Sequence, residues 1–330
     1  MSRLALSLLL LAAVCAAQAE HGIFVADFEA PQNTRIDWLG DEFDDPVTLT
    51  QWTRHWQVEH WPVDQLQYLA IEPQTDGGAL VMRPHSSGWW QDYRGELTFQ
   101  RVPGDFVATA RVRPRNTAGT GAPGSTHGGA VETEYSLGGI MARAPRADVE
   151  AGNANWQRGG ERYVFLSMGS ADLPGVYQFE DKTTRAALPG EPTSWSVRLI
   201  SAANTSTANL RLARIGEHVI ALVQPVEPPG AWRVLRRFRR ADFPETLQLG
   251  LVAYTDYATV GTCTFEQHNV QILLHACNNP NAPADPDLLL RVEFFRLRRP
   301  AVPPELAGAD LSNPAAVSDA QLLGFLGFDA

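Results

Sequence analysis

The sequence contains few cysteines, and their positions limit the covalent chemistry open to the chain. Of the three, Cys15 lies in an apolar N-terminal segment, which leaves two for a mature protein. An even number of cysteines in an oxidising compartment predicts a disulfide, here between Cys263 and Cys277, with a stabilisation of ~3 kcal/mol for a loop of this length. Zinc is the alternative because His268 and His275 lie between the two cysteines, but their spacing matches no zinc-finger pattern.

Long apolar runs are lacking after the N-terminus. Arg3, an apolar run over residues 4–16 and an A-x-A sequence ending at Ala19 are typical of a secretory signal peptide. We therefore expect cleavage near Ala19 and a secreted or periplasmic protein. Cys15 suggests lipidation as an alternative, although a valine precedes it where a lipobox has a small residue. No later run approaches the ~18 apolar residues of a membrane span.

The chain is also poor in lysine, since Lys182 is the only one, and its basic residues are otherwise arginine. The formal net charge of −10 becomes −11 when Arg3, the only charged residue of the leader, is removed. Nucleic acid is excluded as a partner for so acidic a secreted chain.

Short runs rich in β-branched and aromatic residues alternate with Gly, Pro, Asn and Asp, which predicts an all-β protein. Twelve such runs point to a two-sheet antiparallel β-sandwich in one domain. The predicted strands are Leu66–Ile71, Ala79–Arg83, Gly95–Val102, Asp105–Arg113, Gly138–Ala144, Arg162–Met168, Trp195–Ile200, Asn209–Arg214, His218–Gln224, Trp232–Phe238, Leu247–Tyr254 and Leu288–Leu297.

The same pattern suggests how the chain is divided. We expect a signal peptide over 1–19, an extension over 20–40, the sandwich over 41–299 with an insertion at 258–287, and a Pro-rich linker with a short helical tail over 300–330. Ser318 and Gln321 form a capping box before an apolar run, which predicts the helix. Docking on the sandwich is its expected role, and attachment to a protein partner is the alternative.

Pro103 and Gly104 separate two alternating runs and predict a β-hairpin. A two-residue loop pairs Phe99 with Ala108 and Glu96 with Arg111. One face is then apolar, and the other carries polar groups. The apolar face would hold Leu97, Phe99, Phe106, Ala108, Ala110 and Val112.

The polar face offers a candidate ligand site. Two arginines would face each other there, and they require a nearby anion. An ordinary surface ion pair between Glu96 and Arg111 is one interpretation, worth ~0–1 kcal/mol. The other is a groove that binds sugar hydroxyls or a uronate, with aromatic rings stacked on a pyranose. The ligand-binding candidates are Arg94, Glu96, Arg111, Arg113, Arg143, Trp89, Trp90 and Tyr93.

Six segments of the chain carry a resemblance to a known family. They are Gly88-Trp89-Trp90, Tyr93-Arg94-Gly95, Gly104-Asp105-Phe106-Val107, Gly139-Ile140-Met141-Ala142-Arg143-Ala144-Pro145, Leu210-Arg211-Leu212-Ala213-Arg214 and Leu247-Gln248-Leu249-Gly250-Leu251-Val252-Ala253-Tyr254. In this order, and over roughly residues 41–299, they resemble a concanavalin A-like family of secreted bacterial domains of unassigned activity. The resemblance implies a jelly roll of two curved sheets whose concave face, in the wider superfamily of lectins, laminarinases and alginate lyases, receives a polysaccharide.

The sequence contains only parts of the catalytic motifs that these relatives carry. Glycoside hydrolysis uses two carboxylates, and Glu132 with Glu134 shares one strand face but lacks the third acid of the laminarinase pattern. Arg94 and Glu96 belong to a run that is similar to one alginate-lyase motif, and Tyr177 belongs to a run that is similar to another. By this resemblance, Tyr177 would be the catalytic base and Arg94 would neutralise the carboxylate of the substrate.

No cofactor is expected, although structural calcium is an alternative because Asp41, Asp44 and Asp45 offer oxygen ligands at the start of the domain. The first functional hypothesis is a non-catalytic or accessory carbohydrate-binding sandwich. A polysaccharide-degrading enzyme of the same fold, either hydrolase or lyase, is the second, and a structural or adhesive surface domain is the third.

Overall fold

The computed structural model describes residues 35–74, 77–124 and 135–328, and these contain sixteen strands. They are β1 (Thr53–Arg54), β2 (Leu66–Gln74), β3 (Gly77–Pro84), β4 (Glu96–Pro103), β5 (Phe106–Arg115), β6 (Ser136–Arg143), β7 (Tyr163–Ser170), β8 (Gln178–Arg185), β9 (Trp195–Ala202), β10 (Ala208–Ile215), β11 (His218–Pro225), β12 (Arg233–Arg239), β13 (Thr246–Tyr254), β14 (His275–Ala276), β15 (Asn279–Pro283) and β16 (Leu289–Arg298).

Helices are short in the described residues. The α-helices are α1 (His55–Val58), α2 (Ala147–Glu150), α3 (Tyr257–Val260), α4 (Phe265–Val270) and α5 (Asp319–Leu326). Single 3-10 turns lie at Asp37–Leu39, Pro46–Gln51, Asn153–Asn155 and Pro304–Leu306. Among the described residues, no helix combines the length and the apolar character that crossing a membrane requires.

Fourteen of these strands form two antiparallel sheets of seven. The first sheet has the order β1-β4-β13-β6-β7-β8-β9, and the second has the order β12-β11-β10-β5-β16-β3-β2. A small separate ladder joins β14 to β15. The predicted all-β sandwich is therefore confirmed.

The main core lies between the two sheets, because alternate side chains of each strand point to the same side. Leu249 and Leu251 of β13 are buried there together with Leu210 and Leu212 of β10. The opposite side of the first sheet, which we call its outer face, carries a second cluster that includes Val252 and Tyr254 of β13. Strands β4, β6, β7 and β13 thus present side chains to both clusters.

Each of the twelve predicted runs overlaps a strand, but one central strand was missed. β8 reads Gln-Phe-Glu-Asp-Lys-Thr-Thr-Arg and alternates poorly in hydrophobicity. Nevertheless, six of its eight residues are buried because it pairs with β7 on one side and β9 on the other. Tertiary burial here outweighs a local composition that disfavours a strand.

The predicted hairpin at Pro103-Gly104 is wrong, because the two strands that it joins lie in different sheets. β4 pairs with β1 and β13, whereas β5 pairs with β10 and β16. Phe99 lies opposite Gly250, and Ala108 lies opposite Leu212 and Leu297. The turn itself is present, but it crosses from one sheet to the other.

Contacts outside the turn explain this crossing. Gly104 has a positive φ of 67° and donates its N–H to the carbonyl of Glu245 at 2.9 Å, while Arg299 donates to the carbonyl of Pro103 at 2.6 Å. Leu97 and Phe99 therefore pack on the outer face of the first sheet, not with the apolar side chains of β5. The predicted single apolar face is corrected accordingly, and only Phe106, Ala108, Ala110 and Val112 share the inter-sheet core.

The disulfide prediction is confirmed. Cys263 and Cys277 are bonded with their Cα atoms 5.1 Å apart, so their thiols are not available to the zinc site considered above. The bond closes residues 263–277, which contain α4 and β14. These residues lie inside the stretch 258–287 that the sequence marked as an insertion.

The predicted tail helix is also confirmed. Ser318 caps α5 through a complete capping box with Gln321. Leu322, Phe325 and Leu326 are buried against the outer face of the second sheet, where Ile220 and Leu222 form part of the same cluster. Docking on the sandwich is the observed role of the tail within the described residues.

Some predictions fall outside the described residues. The signal peptide, Cys15 and most of the N-terminal extension lie in residues 1–34. Those predictions and the proposed domain limits stay predictions.

Candidate functional site

The residues of the predicted ligand face do not share a surface. Arg94, Glu96 and Arg143 are almost fully buried in or beside the first sheet, whereas Arg111 and Arg113 belong to β5 of the second sheet. The predicted face depended on the hairpin, so it is corrected together with the hairpin.

Arg143 is the centre of a buried ion cluster. Its guanidinium donates to Glu161 at 2.8 and 3.0 Å, to Glu59 at 2.5 Å and to Gln248 at 2.8 Å. Burial disfavours the charged form, but Glu161 and Glu59 outweigh this effect and raise the pKa of Arg143. With its donors used inside the protein, Arg143 has a structural role.

Arg94 and Glu96 also make internal contacts, but Nε and Nη1 of Arg94 and Oε2 of Glu96 are buried without a hydrogen-bond partner among the described residues. Arg94 donates to the carbonyl of Asn269 at 2.7 Å and stacks on Trp61 at 4.7 Å, and burial lowers its pKa to about 10. Glu96 accepts from Arg54 at 2.5 Å and from Thr98 at 2.9 Å. Arg94 thereby links Trp61 and Val63 to Asn269, and Glu96 links β4 to Arg54 of β1.

Arg111 and Arg113 line a different concavity, of about 700 Å³, on the second sheet. Arg111 pairs with Glu293 at 3.3 Å, and Arg113 pairs with Glu227 at 3.0 Å. Their charges are thus compensated by carboxylates of the chain itself.

A separate cavity of about 290 Å³ opens on the outer face of the first sheet. We call it the aromatic cavity. Strands β8, β9 and β13, the loop before β4 and helix α3 supply its walls. The lining residues are Ser87, Gly88, Trp89, Trp90, Tyr135, Lys182, Arg198, Tyr254 and Tyr257.

Two of the aromatic ligand candidates, Trp89 and Trp90, line this cavity. Trp89 is buried, donates its indole N–H to the carbonyl of Glu96 at 3.0 Å and packs so closely on Gly95 that a Cβ there would lie 2.7 Å from the ring. Trp90 follows it and is half-buried. Tyr93 instead turns toward the disulfide segment and donates to the carbonyl of Cys263 at 2.6 Å, and burial raises its pKa to about 12.

The base of the aromatic cavity contains a buried polar triad on β8 and β13. The ammonium of Lys182 pairs with Glu180 at 3.0 Å and donates to the carbonyl of Trp89 at 2.6 Å. Tyr254 donates its hydroxyl to the other carboxylate oxygen of Glu180 at 2.6 Å. Glu180 is thus held between a cation and a phenol.

Electrostatics at this triad follow from its burial. Burial lowers the pKa of Lys182, with Glu180 opposing part of the shift and the nearby charge of Arg198 adding to it. Burial and the carboxylate of Glu180 raise the pKa of Tyr254 well above its ordinary value. Tyr254 therefore stays protonated at neutral pH and donates hydrogen bonds, rather than acting as a base.

Arg198 forms the opposite side of the cavity. It donates to the hydroxyl of Tyr135 at 2.6 Å and lies over the rings of Trp90 at 5.2 Å and Tyr135 at 4.9 Å. Cation–π contacts of this kind fix a guanidinium plane without neutralising its charge. The rings of Trp90 and Tyr257 are half-buried beside it.

Backbone strain accumulates around the cavity. Of the six non-glycine residues with positive φ in the described part of the chain, Tyr135 lines the cavity, and Gln91 and Asp256 adjoin Trp90 and Tyr257. Such conformations cost on the order of 1–3 kcal/mol and concentrate at ligand sites. The hydroxyl of Ser87, which also lines the cavity, is buried and has no hydrogen-bond partner among the residues that the structure describes.

The disulfide segment supports this wall from behind. His268 accepts the backbone N–H of Gly88 at 3.2 Å and contacts Asn269 through its other ring nitrogen at 2.9 Å. Asp256, at the start of α3, accepts from Ser86 at 2.5 Å. His268 and Asp256 thus hold Gly88 and Ser86, the two neighbours of Ser87, in place beside the cavity.

The remaining catalytic candidates are not brought together. Tyr177 is half-buried beside the inter-sheet core, and burial raises its pKa. It has no contact with Arg94 among the described residues, and its role as a catalytic base stays a prediction. Glu132 and Glu134 lie outside the described residues.

The calcium candidates Asp41 and Asp45 have local structural roles. Asp41 accepts from the backbone of Phe43 at 2.8 Å and from the indole of Trp52 at 2.9 Å, and Asp45 caps a 3-10 turn at Val47. Asp44 lines the concavity on the second sheet. Within residues 35–74, 77–124 and 135–328, no group of three or more His, Cys, Asp or Glu side chains is arranged to hold a metal ion.

Sequence reasoning missed most of the cavity. Glu180 and Lys182 lie on the unpredicted strand β8, and Arg198, Tyr254 and Tyr257 were not proposed as site residues. The sequence did contain one signal for this site. Lys182 is the single lysine of an arginine-rich chain, which indicates a position where an ammonium is required and a guanidinium is not suitable.

Comparisons with family models and with curated proteins gave no match. Solved structures with a similar arrangement of strands include a functionally unknown protein from Saccharomyces cerevisiae, 12% identical, which covers 76% of this chain and 98% of its own at a TM-score of 0.43. A xylan β-1,4-xylosidase from Bacillus halodurans is 11% identical, over 79% of this chain and 39% of its own, at 0.42.

A third similar structure is the basic winged bean lectin with Tn-antigen, 10% identical over 72% of this chain and 93% of its own, at a TM-score of 0.34. At these values the similarities carry no functional conclusion for this chain.

Proposed function

We propose that this protein is a secreted, non-catalytic carbohydrate-binding β-sandwich whose glycan site is the aromatic cavity. The observation that carries the proposal is the combination of half-buried rings, Trp90 and Tyr257, with buried hydrogen-bonding groups in one cavity. Ring faces stack on the apolar faces of sugars, while a few fixed polar groups orient the hydroxyls.

The electrostatics favour binding over catalysis. Hydrolysis of a glycoside uses two carboxylates that reach the substrate, and among the described residues that line the cavity none is an acid. Glu180 lies beneath the lining with its oxygens engaged by Lys182 and Tyr254. The raised pKa of Tyr254 also makes it a poor base for uronate elimination.

A structural or adhesive surface domain is a less suitable interpretation. Such a domain has no need of a buried lysine or of strained backbone around a cavity. The disulfide is in keeping with an oxidising compartment, as the proposed secretion requires.

The test is retention on polysaccharide affinity gels by the wild type and the Trp90→Ala variant. Loss of the stacking surface should weaken binding about tenfold or more, since 1.4 kcal/mol corresponds to a factor of ten. The matched control is Trp195→Ala, because Trp195 is 49% exposed on β9 of the same sheet and outside the cavity.

Unchanged retention in Trp90→Ala, or loss in Trp195→Ala alone, contradicts the proposed site. Release of shorter sugars by the wild type during the same incubation would instead favour the enzyme hypothesis. Circular dichroism of both variants shows whether the sandwich has stayed folded.

A further inference from the structure

The positive and negative charges of the described residues around the aromatic cavity do not cancel. Lys182 is neutralised by Glu180 at 3.0 Å, so this pair contributes little net charge. Arg198 has no carboxylate partner among the described residues, and its one hydrogen bond there goes to the hydroxyl of Tyr135. The residues that the structure describes around the cavity therefore carry a net positive charge.

Arg198 is an exception among the arginines of the first sheet. The other four in its strands, Arg54, Arg101, Arg143 and Arg185, each pair with at least one carboxylate of the chain. Arg198 instead lies across Trp90 and Tyr135. The donors of Arg198 that Tyr135 does not use are available for hydrogen bonds to an anion.

Two further observations point to a ligand at the same place. The hydroxyl of Ser87 is buried in the lining and has no hydrogen-bond partner in the described part of the chain, which is costly unless a ligand group supplies the hydrogen bond. Arg198 and Lys182 also repel each other, which an anion between them would relieve. The volume of about 290 Å³ lies at the small end of ligand sites, as one sugar ring requires.

We propose that the aromatic cavity selects an anionic sugar residue, with its charged oxygen atoms bound by Arg198 and its ring stacked on Trp90 or Tyr257. This inference rests on the proposed function and specifies its substrate class. The charged group is a carboxylate or a sulfate ester, since both present paired oxygens to a guanidinium.

The experiment measures binding to matched pairs of polysaccharides by isothermal titration calorimetry. Polygalacturonate, alginate and glucuronoxylan are compared with their carboxyl-reduced forms, and dextran sulfate is compared with dextran. We expect at least one acidic polymer to bind, its neutral counterpart to bind more weakly, and the preferred pair to identify carboxylate or sulfate.

Variants assign the preference to the cavity. Arg198→Gln should weaken acidic binding by about 30-fold or more and remove its preference over the neutral form. Arg198→Lys should retain part of the preference, because charge remains while the fork geometry is lost. The control is Arg185→Gln on the adjacent strand, which removes an arginine paired with Glu191 outside the cavity. Thermal unfolding of each variant verifies the fold.

Outcomes for this inference and for the proposed function are distinct. Equal binding of acidic and neutral forms, or an acidic preference that survives Arg198→Gln, overturns the anionic sugar while leaving a Trp90-dependent glycan site in place. Absence of binding to every polysaccharide in the panel overturns both.

Discussion

Lys182 shows how one side chain connects the fold with the site. Its ammonium lies 4.5 Å from the ring of Phe165 and 5.4 Å from the rings of Trp90 and Tyr254, and it bonds to the Trp89 carbonyl and to Glu180. Arginine would bring a larger, forked group into a space closed by rings. A compact ammonium suits this place.

The first prediction concerns this ion pair. Lys182→Met leaves Glu180 buried without a cation, so it should lower the free energy of unfolding by about 3–5 kcal/mol. Adding Glu180→Gln removes the uncompensated charge and should recover much of that loss. Urea denaturation of the two single variants and the double variant measures the coupling.

The control for this cycle is Arg101→Gln, which breaks the partly exposed pair with Glu150 and should cost less than about 1 kcal/mol. Additive effects of the Lys182 and Glu180 substitutions would contradict the account of the buried pair.

At the scale of elements, the C-terminal helix α5 is anchored to the second sheet by buried arginine side chains. Arg211 of β10 is buried, stacks on Trp232 at 4.0 Å and donates to the carbonyls of Leu326 and Phe328 at the end of α5. Arg298 donates to the carbonyl of Phe325 at 3.2 Å. Cations at a helix C-terminus bind its free carbonyls and oppose its dipole.

The second prediction tests this docking. Leu322→Ala removes a fully buried side chain from the contact between α5 and the second sheet and should lower the free energy of unfolding by about 2–5 kcal/mol. In the same helix, Gly324→Ala adds a methyl group with nothing within 4 Å and should stabilise by up to about 1 kcal/mol. Thermal or urea unfolding compares both with the wild type.

A Leu322→Ala variant as stable as the wild type would mean that the tail contributes nothing to the folded state. Destabilisation by Gly324→Ala would mean that the exposed side of the helix has a contact that the structure lacks.

At the scale of the whole molecule, two buried titratable groups change the pH dependence of the free energy of unfolding in opposite directions. Burial lowers the pKa of His268 from 6.5 to about 4, so the unfolded chain binds more protons over this range and stability rises with pH. Burial raises the pKa of Asp181 from 3.8 to about 7, so the folded chain binds more protons and stability falls as pH rises. The two contributions partly cancel between pH 4 and 6.5.

The third prediction separates the contributions of His268 and Asp181 to the pH dependence of stability. His268→Asn should make stability rise less steeply, or fall, from pH 4 to 6.5, with a change of slope of at most about 1.4 kcal/mol per pH unit. Asp181→Asn should make it rise more steeply between pH 4 and 7. Urea unfolding at several pH values gives the slopes.

His275→Gln, at an exposed position in the same disulfide-closed segment, serves as the matched control, because it removes an imidazole from this segment and leaves the buried one in place. Parallel curves for the wild type and His268→Asn would show that His268 does not titrate in the folded state as inferred.

The sequence alone determined the elements with local signals. Alternating apolar residues predicted twelve strands, Ser318 with Gln321 predicted the tail helix, and the parity of the cysteines predicted their bond. Each of these depends on residues close in sequence or on simple counting, so no tertiary partner had to be known.

Only the tertiary structure decided which strands pair and which side chains meet. A turn at Pro103-Gly104 suits a hairpin and a crossing between sheets equally well, because both reverse the chain over two residues. The chain crosses between the sheets because β4 pairs with β13, where Phe99 lies opposite Gly250, and β5 pairs with β10, where Ala108 lies opposite Leu212. The aromatic cavity joins residues from Ser87 to Tyr257. Its strand β8 is stabilised by burial between neighbours that no local pattern reveals.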